Sequence, residues 1–298
     1  MPVTRDELDR PTRALLAAAL RLPRGGMRVV QALATAHPEL QDLAIPLRNW
    51  PERHFRLDLR ERVCFMFLRD GCIAHQGAEE AIVARVLQPG EVVFDVGANI
   101  GYVTVMLIKS IAPGGWVHSF EPSRRAFALL ARNVEPGDPC SVLQAAVGER
   151  AGRIPFREQP ELNVSSVAGA NAPRKPKRSA RHYDVDVLSL DQFCQQPGQR
   201  SPDFVKVDVE GYEDAVFRGM SRILAEKSPI LLFECATPEQ RAENIAAVEA
   251  AAPSRYRFAR VAHDGTLAKP DAGGHVTHNY FGIPDWAADR FAGLESGS

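Results

Sequence analysis

The feature that most restricts the fold of this sequence is an apolar run that ends in a glycine-rich turn. Val92–Val96 is apolar and β-favouring except at Asp95, a pattern typical of a buried parallel strand near its end. Gly97 and Gly101 enclose small or polar residues, and the apolar residues 102–108 then predict a core-facing helix. A strand, a glycine turn and a helix in this order present a helix N-terminus and bare backbone to a ligand.

The spacing of these two glycines indicates which ligand the turn would suit. It reads G-x-x-x-G, with Asp95 two residues earlier, whereas dinucleotide folds read G-x-G-x-x-G. The Gly-Lys-Ser/Thr ending of a phosphate-binding loop is also missing after Gly101. A carboxylate ahead of the turn would repel phosphates but suits a cationic amino-acid head group, such as that of S-adenosylmethionine. A purely structural turn is the alternative interpretation of this stretch.

Composition limits the class of protein. The 298 residues suffice for one large domain, or for one domain with an appendage, and at 45% hydrophobic they can bury a full core. The net charge of −1 argues against bulk nucleic-acid binding. The five scattered cysteines resemble reduced thiols, and we see neither a signal peptide nor a membrane span, so we expect a cytoplasmic protein.

From residue 76 onwards, predicted strands alternate with helices, which indicates a mostly parallel sheet. After the strand at 92–96, the predicted strands are Trp116–Phe120, 141–147, 204–209 and Ile230–Glu234, followed by an antiparallel pair at 256–261 and 278–283. A helix is expected over 213–225. We therefore divide the chain into an accessory region, 1–75, and an α/β domain, 76–298.

The accessory region carries different patterns. Residues 4–45 read as helical, with Thr4 and Glu7 resembling a capping box, and residues 55–68 read as a β-hairpin. This region would pack on the sheet, contact substrate or form a contact between copies of the chain, so a homo-oligomer stays possible.

One segment, 150–187, interrupts the alternation and is long for a plain connection. It contains Ser165 and Ser166 and then a basic run made of Arg174, Lys175, Lys177 and Arg178. We interpret it as a lid or substrate loop, in which the basic run would favour an anionic acceptor. A solvated surface loop is the alternative.

Acidic residues follow the strands. Asp95, Glu121, Asp208 with Glu210, and Glu234 stand at the carboxyl ends of four predicted strands, the edge where open α/β sheets bind ligands. Glu121 lies twenty residues after Gly101, a placement that resembles the acid that accepts hydrogen bonds from ribose hydroxyls. Asp208 and Glu210 would face opposite sides if their strand stayed regular.

These residues together resemble the FkbM-type S-adenosylmethionine-dependent methyltransferases over roughly residues 76–284. The matching segments are FDVGANIG at 94–101, FEP at 120–122, Asn133, LDQF at 190–193, KVDVEGYE at 206–213 and FE at 233–234. The resemblance implies a Rossmann-like class I methyltransferase sheet with an antiparallel C-terminal strand. It also implies methyl transfer from S-adenosylmethionine to a hydroxyl of a sugar, glycan or small natural product.

We assign the candidate site residues accordingly. Asp208 is the candidate base and Glu210 its catalytic or structural neighbour; Ser165, Ser166 and Glu234 are candidate substrate contacts. The candidate cofactor-binding residues are Asp95, Gly97, Asn99, Gly101, Glu121 and Ala146. No residue is assigned to a metal, although a divalent metal held by Asp208 and a neighbouring carboxylate is a less favoured alternative. Two other classes stay open, a nucleotide-dependent oxidoreductase or sugar-nucleotide enzyme, and a non-catalytic cofactor-binding module.

Overall fold

A central sheet of eight strands organises the fold. The computed structural model describes residues 3–22, 24–70, 77–159, 165–167, 180–271, 273 and 276–295. In spatial order the central strands are β14 (Leu267–Ala268), β13 (Tyr256–Ala262), β15 (Val276–Pro284), β12 (Ile230–Glu234), β11 (Phe204–Val207), β4 (Val92–Val96), β5 (Trp116–Phe120) and β6 (Cys140–Leu143).

The direction of these strands confirms the predicted sheet. β6, β5, β4, β11 and β12 run parallel, and β15 pairs antiparallel with both β12 and β13. All five residues of β4 are buried, because helices cover both faces of a central parallel strand. The chain leaves β4 on one side towards β6 and returns on the other at β11, so a topological switch point lies between β4 and β11.

Ten α-helices are present in the described ranges. They are α1 (Arg10–Leu20), α2 (Gly26–Ala36), α3 (Arg62–Asp70), α4 (Gly77–Val86), α5 (Tyr102–Ser110), α6 (Arg124–Asn133), α7 (Leu190–Cys194), α8 (Glu213–Arg218), α9 (Ser221–Glu226) and α10 (Pro238–Ala251), with 3-10 turns at Pro38–Gln41 and Asp285–Phe291. The single helix predicted over 213–225 is wrong, because it breaks at Gly219. A Cβ at Gly219 would lie 2.0 Å from the carbonyl oxygen of Gly148. None of the described helices is both long and apolar enough to cross a membrane.

The region before residue 76 is only partly as predicted. The helical prediction for 4–45 holds in α1 and α2, but both ends of that range are strands, β1 (Val3–Thr4) and β2 (Leu43–Leu47). Asp9 caps α1, whereas the Glu7 carboxylate accepts hydrogen bonds from Thr4 in a preceding turn.

The hairpin predicted over 55–68 is also wrong. β3 (Trp50–Leu57) pairs with β2, and the apolar run at 63–68 belongs to α3. The apolar side chains of α3 pack in the core of this region: the ring of Phe67 lies 5.1 Å from the rings of both Phe55 and Tyr102. A short apolar run is ambiguous between strand and helix, and here the tertiary contacts decided.

A second, four-stranded sheet replaces part of the predicted loop. Its order is β7 (Ala146–Val147), β10 (Arg181–Leu188), β8 (Gly152–Glu158) and β9 (Ser166–Val167). The strand predicted over 141–147 is therefore split between two sheets, and the ends of the 150–187 segment are strands. The basic residues Arg174, Lys175, Lys177 and Arg178 lie outside the described residues.

Asn133 ties the N-terminal region to the central sheet. Its Nδ2 donates to the carbonyl oxygens of Ile100, at 2.9 Å, and Arg56, at 3.2 Å, while its Oδ1 accepts from the Arg56 amide at 2.7 Å. The Asn133 side chain is buried, and it satisfies backbone groups of β3 and of the turn before α5.

We expect Asn133→Ala to lower the free energy of unfolding by about 1–3 kcal/mol, because it leaves buried backbone groups without partners. Urea denaturation at neutral pH measures this. The control is Arg132→Ala, an exposed neighbour at the same helix end, for which a change within about 0.5 kcal/mol is expected. Equal stabilities of the two variants would contradict this role for Asn133.

Candidate active site

A cavity of about 260 Å³ opens at the carboxyl ends of β4, β5, β11 and β12, at the switch point of the sheet. The predicted residues that line it are Gly97, Asn99, Glu121, Ala146, Ser165, Ser166, Asp208, Glu210 and Glu234. Asp95 and Gly101 are not among its lining residues. The structure thus brings nine of the eleven predicted site residues to one cavity and places two behind its wall.

Close contacts within the chain explain why positions 97 and 101 of the turn are glycines. Gly97 has φ 78°, and a Cβ there would lie 1.9 Å from the carbonyl oxygen of Asp208. Gly101 has φ 88°, and a Cβ there would lie 2.8 Å from Cδ1 of Leu130 on α6. Gly97 therefore lets the loop after β11 approach the turn after β4, which brings Asp208 to the cavity.

Asn99 also adopts a positive φ, 52°, a conformation that Asn tolerates better than most residues. Its side chain lines the cavity, and its Oδ1 is buried without a hydrogen-bond partner in the described part of the chain. A ligand that donates a hydrogen bond would satisfy this oxygen.

Asp95 lies beneath the cavity and is fully buried. One of its oxygens accepts a hydrogen bond from Thr104 Oγ1 at 2.7 Å, and the other lies 3.3 Å from Lys206 Nζ. Its effect on a ligand is therefore indirect, through the position of Lys206.

Lys206 lines the cavity and was missed by the sequence analysis. Its Nζ donates to the Gly97 carbonyl oxygen at 2.9 Å and lies 3.5 Å from Asp208 Oδ2. Burial lowers the pKa of this amine, but the charges of Asp95 and Asp208 more than offset that effect and raise it, so the group is an ammonium ion. A lysine inside an apolar parallel strand is a signal that could have revealed it, because such a charge needs buried partners.

Glu121 is buried at the edge of the cavity and connects two loops through hydrogen bonds to their backbone amides. Its Oε2 accepts from the Asn99 amide at 2.8 Å, and its Oε1 accepts from the Ser123 amide at 2.7 Å. Burial raises the pKa of Glu121 to about 7, although both amides act in the opposite direction. Each carboxylate oxygen can accept a second hydrogen bond, so these contacts leave capacity for a ligand.

Three carboxyl groups meet on the other side of the cavity. Asp208, Glu210 and Glu234 each offer an oxygen, and these oxygens all lie within 4.8 Å of one another. The regular strand under which Asp208 and Glu210 would face opposite sides does not extend this far, because β11 ends at Val207 and Glu210 turns with φ 57°. Glu213 holds this turn by accepting from the amides of Val209 and Gly211, both at 3.1 Å.

The environment of Glu234 strongly raises its pKa. Burial, followed by the charges of Asp208 and Glu210, raises the pKa of Glu234 to about 9. At neutral pH Glu234 therefore carries a proton, which removes one negative charge from this cluster. The three oxygens are also of the kind that hard divalent cations bind.

Other parts of the chain complete the walls. Val63 and Met66 of α3 line the cavity, as do Phe156 of β8 and Val167 of β9. The N-terminal region and the second sheet therefore both contribute to the site. Sequence reasoning missed these residues because apolar wall residues look like core residues.

The sheet order, the glycine turn and the acids at the strand ends define a Rossmann-like protein of the class I methyltransferase type. The chain belongs to the FkbM family: the family's sequence profile, described as "Methyltransferase FkbM domain", matches residues 95–259.

Individual relatives agree with this family. The chain is 44% identical over 191 residues to the 31-O-demethyl-FK506 methyltransferase FkbM of Streptomyces tacrolimicus. The matched region covers 53% of this chain and 70% of the relative. It is 27% identical over 155 residues to the 2-O-methyltransferase NoeI of Sinorhizobium fredii, and this match covers 49% of this chain and 63% of the relative. The chain thus spans less than two thirds of the length of NoeI.

A crystal structure of the methyltransferase FkbM from Methylobacillus flagellatus is similar at 18% identity and a TM-score of 0.46, with 66% of this chain and 44% of that chain covered. At that TM-score the likeness supports no inference about the site.

The raised pKa of Glu234 predicts a pH dependence of stability. The folded protein keeps a proton on Glu234 up to about pH 9, whereas the unfolded chain, with an ordinary pKa of 4.5, releases it at lower pH. The contribution of Glu234 to the free energy of unfolding therefore falls as the pH rises towards about 9. We expect Glu234→Gln to flatten the fall in melting temperature of the ligand-free protein between about pH 5 and pH 9. Exposed Glu249→Gln is the control and should follow the wild type. Identical slopes for all three proteins would refute the assignment.

Proposed function

We propose that this protein transfers the methyl group of S-adenosylmethionine to a hydroxyl of a sugar, glycan or small natural product. The observation that carries the proposal is the contact between the glycine turn and the acid cluster, made by Lys206 between the Gly97 carbonyl oxygen and Asp208. It sets a candidate base directly beside the turn where a methyl donor would lie. Membership of the FkbM family and relatives named as O-methyltransferases support the reaction class.

One side of the cavity would bind the methyl donor and the other side the acceptor. Glu121 directly follows β5 and Ala146 begins β7, shortly after β6, and both would contact the ribose and adenine of the donor. Asp208, Glu210 and Glu234 lie at the ends of β11 and β12, where they would face the acceptor. The apolar side chains of Val63, Met66 and Phe156 would exclude water from between the two substrates, which in-line transfer requires.

Asp208 is the group best placed to take the proton of the acceptor hydroxyl. The hydroxyl oxygen forms a bond to the methyl carbon, the carbon–sulfur bond breaks, and sulfur keeps the electron pair as a neutral thioether. Glu234 already holds a proton at neutral pH and does not compete as a base. Such base catalysis contributes roughly 10²–10⁴-fold to the rate.

A divalent cation is the second candidate for activating the hydroxyl. The meeting of three carboxylate oxygens within 4.8 Å favours it, because hard cations bind such oxygens and polarise a coordinated hydroxyl. In that case Asp208, Glu210 and Glu234 would hold the ion, and bound metal would displace the proton from Glu234.

The first test concerns the donor. We expect S-adenosylmethionine and S-adenosylhomocysteine to bind in isothermal titration, and Glu121→Gln to weaken both by about tenfold, because the amide loses a charge-assisted hydrogen bond to the ribose. Glu249→Gln should bind like the wild type. Binding of NADH or ATP with no response to either adenosyl ligand would instead favour the oxidoreductase or sugar-nucleotide alternative.

The second test concerns Asp208. A panel of hydroxyl-bearing sugars and small natural products is screened for formation of S-adenosylhomocysteine, and the best acceptor is used in single-turnover experiments. If Asp208 is the base, Asp208→Asn should lower the rate by two to four decades while donor affinity stays near that of the wild type.

The chelated wild type separates base from metal. Loss of activity with a chelator and its return with magnesium or manganese would assign the cluster to a cation. Near-normal rates in both Asp208→Asn and the chelated wild type would exclude both roles for Asp208.

A further inference from the structure

The exposed large apolar side chains of the described residues are concentrated on the first two helices. Five such side chains are exposed, and three of them, Leu15, Leu22 and Val29, belong to α1, α2 and the turn between them. Their exposed fractions are 51%, 47% and 42%. A single exposed apolar residue is ordinary on a protein surface, whereas a group of them marks a site of interaction.

Each of these two helices has an exposed apolar stripe in addition to the one that it buries. The buried stripes include Leu16 of α1 and Val30 of α2, which pack in the core of the N-terminal region. The exposed apolar positions recur every three or four residues, a spacing that places them on one face of each helix. They are Pro11, Ala14, Leu15 and Ala18 of α1, then Leu22, and Val29, Ala32 and Ala36 of α2.

The two helices pack closely against each other. A Cβ at Gly26, the first residue of α2, would lie 2.3 Å from the carbonyl oxygen of Ala19 on α1. Residues 10–36 thus form one helical hairpin, and both exposed stripes belong to it.

The helical hairpin is strongly basic. Residues 10–36 contain five arginines and no acidic residue, although the whole chain has a net charge of −1. Of the acids just before the hairpin, Asp9 caps α1 and Glu7 accepts hydrogen bonds within the preceding turn. Asp6 Oδ1 lies 3.8 Å from a guanidinium nitrogen of Arg13. The other four arginines, all exposed, are Arg10, Arg21, Arg24 and Arg28.

This combination selects the partner. Apolar stripes beside arginines fit a partner that is apolar inside and negatively charged at its surface, and a bilayer with anionic headgroups has both properties. Basic amphipathic helices are typical of segments that lie on membrane surfaces. A second copy of the chain, docked through the same face, would instead bring the two sets of arginines together, and like charges across an interface are unfavourable.

We propose that the helical hairpin docks on the surface of an anionic lipid bilayer. Leu15, Leu22 and Val29 enter the boundary between headgroups and acyl chains, and the arginines contact the anionic headgroups. The proposal goes beyond methyl transfer, because it concerns where the protein lies and not what it transfers.

Docking would bring the main cavity to the lipid surface. Nε2 of Gln31, on α2, donates to the carbonyl oxygen of Arg60, just before α3, at 2.8 Å. Val63 and Met66 of α3 line the main cavity. The docking surface and one wall of the cavity therefore belong to the same packed region.

The experiment measures flotation of the full chain with lipid vesicles. Vesicles of phosphatidylcholine and phosphatidylglycerol in equal amounts are compared with vesicles of phosphatidylcholine alone, at low and at high salt. One double variant, Leu15→Gln with Val29→Thr, removes apolar surface at nearly constant size. The other, Arg21→Gln with Arg24→Gln, removes two charges from side chains that are fully on the surface.

A matched control removes the same number of charges elsewhere. Arg222→Gln with Arg257→Gln changes two exposed arginines on α9 and β13, outside the hairpin. Melting temperatures of all the variants report whether the fold is kept.

We expect the wild type and the control to float with the anionic vesicles and each hairpin variant to bind about tenfold or more weakly. Binding of the wild type should fall as salt rises, because exposed charges are screened. Unchanged flotation of either hairpin variant would overturn the proposal, and so would equal binding to the neutral vesicles.

Light scattering without lipid distinguishes the other occupant. A dimer that Leu15→Gln with Val29→Thr dissociates, together with no flotation of the wild type, would assign the stripes to a second copy and overturn the proposal. None of these measurements uses a methyl donor, so their outcome is separate from the fate of the proposed function.

Discussion

The ammonium group of Lys206 is the interaction on which the site depends. It lies in the central strand β11 and is almost completely buried, with 6% of its surface exposed. Such a charge is tolerated only because Asp95, Asp208 and the Gly97 carbonyl oxygen surround it. Removing one partner of a buried ion pair typically costs about 3–5 kcal/mol, so these groups hold one another in place. The turn after β4 and the loop after β11 are thereby joined at the floor of the cavity.

Around this floor, three parts of the chain that are distant in sequence enclose the cavity. The N-terminal region contributes α3, the second sheet contributes Phe156 and Val167, and the central sheet contributes the acids. The hydrophobic cluster of the N-terminal region continues into α5 and α6 through Tyr102 and Leu129. The walls of the site are thus supported by the same packing that attaches the N-terminal region to the sheet.

The acids at the strand ends have different environments, and these set their different properties. Asp95 has a buried cation beside it, Glu121 accepts from two backbone amides, and Glu234 is buried next to the acids Asp208 and Glu210. A carboxyl group therefore serves in one place as the partner of a buried lysine, in another as a link between two loops with capacity for a ligand, and in a third as a protonated neighbour of the candidate base. Environment, more than residue type, decides which group can accept a proton.

The sequence by itself determined the central sheet, because strand, turn and helix patterns are local. It also determined that Asp95, Glu121, Asp208 and Glu234 gather at one edge, since parallel strands end on the same side. The tertiary structure alone decided what each acid contacts, for example that Glu210 turns back towards Asp208. It also decided that Lys206 joins two loops and that the run at 63–68 is a helix. These outcomes depend on partners far away in the chain, and a short apolar run or a lone charge does not encode which partner it will meet.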